Sequence, residues 1–172
     1  MPLCLALSWL AAAPVAQAET AAATAPVMPK IPAPADVAKP PADAEKDPSG
    51  LVSKVLQKGT GTQHPDESNL VEVKYVGWQQ RDGFMFDTSE KKPVPPKFPL
   101  KLLIKGWRIG LKLMVVGEKR RMWIPADIAY GNEPRGPGKA YGDLCFDVEL
   151  LGIHPGEAEA APPAKPGKKK GH

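Results

Sequence analysis

Hydrophobic and polar positions alternate most cleanly in two stretches. In Leu70–Trp78 (LVEVKYVGW), Val71, Val73 and Tyr75 share one side and Glu72 and Lys74 the other. In Leu144–Ile153 (LCFDVELLGI), Leu144, Phe146, Val148 and Leu150 point one way and Cys145, Asp147 and Glu149 the other. A period of two marks a half-buried antiparallel strand. Shorter strands are predicted at Leu51–Lys58, from Phe84 to Asp87, and at Arg120–Pro125. Between Ile104 and Met114 the period changes: Ile104, Trp107, Leu111 and Met114 fall on one face of a helix. Gly106 and Gly110 weaken that helix, so it is expected to be short and held by packing. Gly59-Thr60-Gly61 reads as a turn and Arg81-Asp82-Gly83 as a hairpin signal. Pro93, Pro95, Pro96 and Pro99 predict a stiff, irregular connection, and Gly131–Gly142 a long loop. The elements add up to an α+β domain, a curved antiparallel sheet wrapped on one helix.

Composition places that domain within the chain. Of 21 prolines, nine fall in the first 50 residues beside 15 alanines, and only eight fall in residues 51–153. The expected organisation is a signal segment at 1–18, an Ala/Pro-rich disordered, extended linker at 19–50, the folded domain at 51–153 and a basic Pro/Lys-rich disordered tail at 154–172. Leu3–Val15 is mostly apolar and Ala16-Gln17-Ala18 has small residues at both recognition positions of a signal peptidase. Export to a bacterial periplasm or the outside is therefore expected, with cleavage before Glu19. No later apolar run is long enough to span a membrane. The linker lacks a proline-free helical arm, so a monomer is expected. Net charge is +4, without a dense basic stripe interleaved with aromatics, which argues against a nucleic-acid surface. Cys145 sits in a strand and reads as a small buried hydrophobe.

Taken in order, the segments resemble the FKBP-type peptidyl-prolyl cis–trans isomerase family. The words are Val73-Lys74-Tyr75-Val76-Gly77, Asp82 to Ser89, Ile104 to Leu111, Met114 to Arg120, Ile124-Pro125 with Ala129-Tyr130-Gly131, and Phe146 to Leu151. The resemblance implies a half-barrel of five to six antiparallel strands around one short helix, with a ligand pocket between sheet and helix. It implies Tyr75, Phe86 and Phe146 as aromatic walls and Trp107 as the floor. Leu103 and Ile104 would line the rim, and the Ile104 N–H would donate to a ligand carbonyl. Asp87 would be a buried carboxylate and Tyr130 a hydroxyl at the mouth, both with catalytic roles. It implies proline-containing polypeptides as partners, FK506-like macrolides as ligands, and no cofactor. Each aromatic taken alone is more often core than site; it is their shared register that points to a pocket.

The chemistry implied is rotation about an X–Pro amide, slow because it breaks resonance across a barrier of about 18–20 kcal/mol. It needs no nucleophile or metal, and His64, His154 and His172 match no metal or triad spacing. Three departures from the family pattern surround the mouth. Phe98–Ile104 is about two residues short, Pro96 stands where a wall residue is common, and Gly138-Lys139-Ala140-Tyr141-Gly142-Asp143 replaces the usual loop. These favour, as the alternative, a non-catalytic module that binds proline-containing segments. Lys91, Lys92, Lys97, Lys101, Lys105 and Arg108 flank the same mouth and predict capture of acidic substrates.

Overall fold

The computed structural model describes residues 31–156. The expected signal segment, the first part of the linker and most of the basic tail lie outside the described residues. Seven strands form one antiparallel sheet: β1 (Glu45–Lys46), β2 (Val52–Gln57), β3 (Leu70–Gln79), β4 (Met85–Thr88), β5 (Lys97–Pro99), β6 (Lys119–Ile124) and β7 (Leu144–His154). Their order is β1-β2-β6-β7-β3-β4, with β5 also on β3. The helix, α1 (Lys105–Leu113), follows a 3-10 turn at Leu100–Leu102. The predicted strands and helix all form, and the sheet is larger by the two shortest strands. β5 runs inside the proline-rich connection, pairing Phe98 with Val71 and Pro99 with Leu70. Proline is tolerated there because β5 lies at an edge.

The inner face of the sheet carries the core. Val71, Val73, Met122, Ile124, Leu144, Val148 and Leu150 are wholly buried there, together with Leu111 and Met114 from the helix segment. The two helix glycines now have a reason. A β-carbon at Gly106 would strike Ile124, and one at Gly110 would strike Met122. Their absence lets α1 lie directly on β6, so the residues that weaken the helix are the ones that let the sheet hold it.

The outer face is covered by the chain's own N-terminal side, where the sequence predicts a free linker. Residues 31–50 pack there as a strap. The indole N–H of Trp78 donates to the Ile31 carbonyl at 3.1 Å, and that of Trp123 to the Asp36 carbonyl at 2.9 Å. Trp78 and Trp123 flank Cys145 in the register, and all three are almost completely buried. The guanidinium of Arg121 grips Asp147 and also the Asp36 carboxylate. Further along, the strap leaves that face: β1 extends the sheet edge beside β2, and Glu45 meets Arg120 at 2.9 Å. A strap rich in proline forms no periodic pattern of its own. The carbonyls of Ile31 and Asp36 accept from indoles of the sheet and those of Pro34, Pro41 and Asp47 from turns within the strap, so its order leaves no periodic signal in its own residues. Burial holds the Cys145 thiol well above its ordinary range, as a small hydrophobe in this wall.

Candidate active site

The pocket begins with a missing side chain. Gly77 lies on the inner face of β3, opposite Phe146 of β7 and Asp87 of β4. A β-carbon there would come within 2.6 Å of the Phe146 ring and 2.8 Å of the Phe86 ring. The vacant position lets the two rings meet edge to face, their centroids 5.4 Å apart. Trp107, in the first turn of α1, then stands edge-on to Phe146 and to Tyr75, each at 5.2 Å. Such perpendicular contacts suit the aromatic quadrupoles and lock the rings against one another.

One cavity of about 190 Å³ opens among these rings. Its walls are Tyr75, Phe86, Phe98, Phe146, Leu103 and Ile104, with Trp107, Asp87 and Tyr130 completing it. All eight residues named from the sequence therefore line the same space. They come from six different elements and links, separated by up to 71 positions from Tyr75 to Phe146. Phe98 is an addition. It takes the wall place that the sequence reading assigned to Pro96, and its ring lies 6.3 Å from that of Tyr75. Strand alternation through Lys97-Phe98-Pro99 was the available signal, masked by the surrounding prolines.

The Asp87-Thr88-Ser89 segment is a clamp on Tyr75. The Tyr75 hydroxyl donates to Asp87 Oδ2 at 2.8 Å, and its backbone N–H to Ser89 Oγ at 2.8 Å. The Tyr75 carbonyl accepts from the Ser89 N–H at 2.9 Å and from Thr88 Oγ1 at 3.1 Å. The other oxygen of Asp87 accepts from the Thr88 N–H and lies 3.5 Å from Lys91 Nζ. Asp87 is thus held on both sides, but its side chain is 42% exposed rather than buried as the resemblance implies, because it lies at the open mouth. Burial, then the Asp87 carboxylate, raises Tyr75 above the ordinary phenol range, so it stays a neutral donor. Burial and the same carboxylate raise Tyr130 as well.

Three polar groups at the cavity have no partner among the described residues. They are the Tyr130 hydroxyl, the Ile104 N–H and the buried Trp107 indole N–H. Buried donors are ordinarily satisfied, so unsatisfied ones beside a cavity are available to a ligand. The flanking lysines do less than their number suggests. Arg108 and Lys112 both bind Glu67 at 2.7 Å, holding its carboxyl down to about 2. Lys97 pairs with Glu72, Lys91 with Asp87, and Lys92 stands over the Phe98 ring. Lys101 and Lys105 have no ion-pair partner among the described residues, but neither lines a cavity at the mouth; the cations that do, Arg135 and Lys139, lie on the 131–142 loop.

Comparison with known proteins fits this geometry. Residues 61–151 match the sequence model described as FKBP-type peptidyl-prolyl cis-trans isomerase. The chain belongs to that family. The macrophage infectivity potentiator of Trypanosoma cruzi is 42% identical over 115 residues, covering 66% of this chain and 58% of that protein. The outer membrane protein MIP of Legionella longbeachae is 38% identical over 109 residues, covering 62% and 45%. The crystal structure of FkpA from Escherichia coli superposes with a TM-score of 0.60 at 37% identity, over 67% of this chain and 53% of that one. The chain spans about half the length of these relatives. The matched residues account for all of the sheet except β1, β2 and the last three residues of β7, and the cavity lies wholly within them. Among the described residues no helix is long and apolar enough to cross a membrane.

Proposed function

We propose that this protein is a peptidyl-prolyl cis–trans isomerase that acts on X–Pro bonds in proline-containing polypeptides. The observation that carries the reading is the aromatic cavity floored by Trp107 and bordered by unpartnered donors. An engineered apolar cavity of about 150 Å³ admits a benzene ring, so the space over Trp107 takes a prolyl ring. A planar amide is stabilised by charge separation that fades as it twists. Walls of Tyr75, Phe86, Phe98 and Phe146 solvate the planar form poorly and the twisted form well, which lowers the barrier by differential binding.

The donors fix the substrate while it turns. The Tyr130 hydroxyl at the mouth donates to a peptide carbonyl, and the Ile104 N–H to another. Asp87 orients Tyr75 and sets a negative charge beside the amide nitrogen, where it acts through electrostatics. No covalent step is involved. We further propose that the chain is exported with cleavage before Glu19, and that it works as a monomer. FK506-like macrolides, which present a similar ring and carbonyls, are proposed ligands of the same cavity.

The test is a protease-coupled isomerisation assay on purified residues 19–172. The expected result is faster cis-to-trans conversion of a prolyl tetrapeptide, in proportion to protein concentration. Peptide binding without acceleration would replace the isomerase with the alternative, a binding module for proline-containing segments.

A further inference from the structure

A second cavity, of about 380 Å³, adjoins the aromatic one and shares Phe86, Asp87 and Tyr130 with it. Its far side is built by the 131–142 loop, through Arg135, Lys139 and Ala140. Four glycines of that loop, at 131, 136, 138 and 142, have positive φ, and space around each is open. The loop therefore stands off the sheet and carries its side chains over the mouth.

The charges lining this annex do not balance. Asp87 is its only acidic member, and that carboxylate is already engaged by the Tyr75 hydroxyl, the Thr88 N–H and Lys91. Arg135 lies over the Tyr130 ring, 5.1 Å from its centre. Neither Arg135 nor Lys139 has an ion-pair partner among the described residues. Glu133, on the same loop, does not line the space. Two cations thus face a hollow whose single anion is spoken for. Opposite charge placed there gains attraction without breaking an existing pair.

We propose that this annex receives an acidic side chain carried by the residue immediately before the proline, making Glu-Pro and Asp-Pro sequences the preferred substrates. The proposal rests on the isomerase reading of the neighbouring cavity. The geometry selects the preceding residue through Tyr130, which borders both spaces. The carbonyl that rotates belongs to that residue. When the proline ring lies over Trp107 and the carbonyl meets Tyr130, the side chain on the same residue is directed past Tyr130 toward Arg135 and Lys139. This moves the charge selection expected from the lysines at 91–105 to the opposite rim of the mouth.

The test compares kcat/KM of residues 19–172 for three tetrapeptides that differ only before proline, with Glu, Gln or Lys, at low and at high salt. Two partly exposed ion pairs predict Glu over Gln by about three- to tenfold at low salt, narrowing as salt rises. Arg135→Glu with Lys139→Glu should reverse the order, so that the Lys peptide leads. Both positions lie on an open loop, and circular dichroism checks that the variant is folded. Equal rates for the three peptides, or a preference that the double variant leaves in place, would overturn the annex assignment alone. A preference seen only when Glu follows proline would overturn it too. No acceleration of any peptide would remove the isomerase reading and this proposal with it.

Discussion

Gly77 and Trp107 make opposite use of side-chain volume, and substitutions at them separate site from scaffold. Gly77→Ala puts a methyl group into the Phe86 and Phe146 rings. Overpacking of that kind costs about 1–3 kcal/mol, so the variant should fold. The displaced rings narrow the cavity, and a shift of about 1 Å is enough for a loss of roughly 10²-fold in turnover. Trp107→Leu removes the floor and should cost about 2–4 kcal/mol, near the range for large core truncations. It too should abolish turnover in its folded fraction. Denaturation midpoints measured beside turnover decide the matter, and a folded variant of either kind with normal turnover would remove that residue from the site. At this scale the sequence was largely readable. Tyr75, Phe86, Trp107 and Phe146 stand in words whose order carries their positions. Phe98 was hidden by the prolines around it. The clamp of Thr88 and Ser89 on Tyr75 was hidden because hydrogen bonds across fourteen positions leave no local pattern.

Elements with a strong period were predicted to within a residue or two, as β3, β7 and α1 show. The strap was not, since its order comes entirely from the face it covers. Its removal has a defined consequence. A chain beginning at Leu51 loses two indole-to-carbonyl hydrogen bonds, the Asp36–Arg121 and Glu45–Arg120 pairs, and the cover over Trp78 and Trp123. With about 1 kcal/mol for each net hydrogen bond and a further contribution from re-exposed indole surface, the loss should be roughly 3–5 kcal/mol. Chemical denaturation of the full and shortened chains measures it directly. Because the strap lies on the face opposite the cavity, the shortened protein should keep its peptide turnover at low temperature. Equal midpoints would show the strap to be a passive tether.

For the whole molecule, the covered outer face bears on assembly. With α1 on one side and the strap on the other, the large exposed apolar residues among the described residues, Leu56, Phe84, Val94, Leu102, Leu113 and Tyr130, fall on separate elements and loops. Scattered residues do not make the continuous patch that a stable dimer buries. Light scattering of purified residues 19–172 at micromolar concentration should give the mass of one chain, and mass spectrometry of the protein from its native cells a terminus at Glu19. Twice that mass, or an intact Met1, would contradict the respective proposal. Strand order carries a different kind of consequence, one of timing. β7 is the final strand among the described residues, yet it sits mid-sheet with β6 on one side and β3 on the other. A polypeptide leaving the ribosome N-terminus first has β3 complete at residue 79 and must wait for residue 154. At about 5–20 residues per second, that is roughly 4–15 s in which the β3 edge is open, and about 1.5–6 s for the edge of β6, complete at residue 124. Nascent chains of this protein therefore pass through a long window as two unjoined halves, and whatever guards those edges in the cell acts before the last strand arrives.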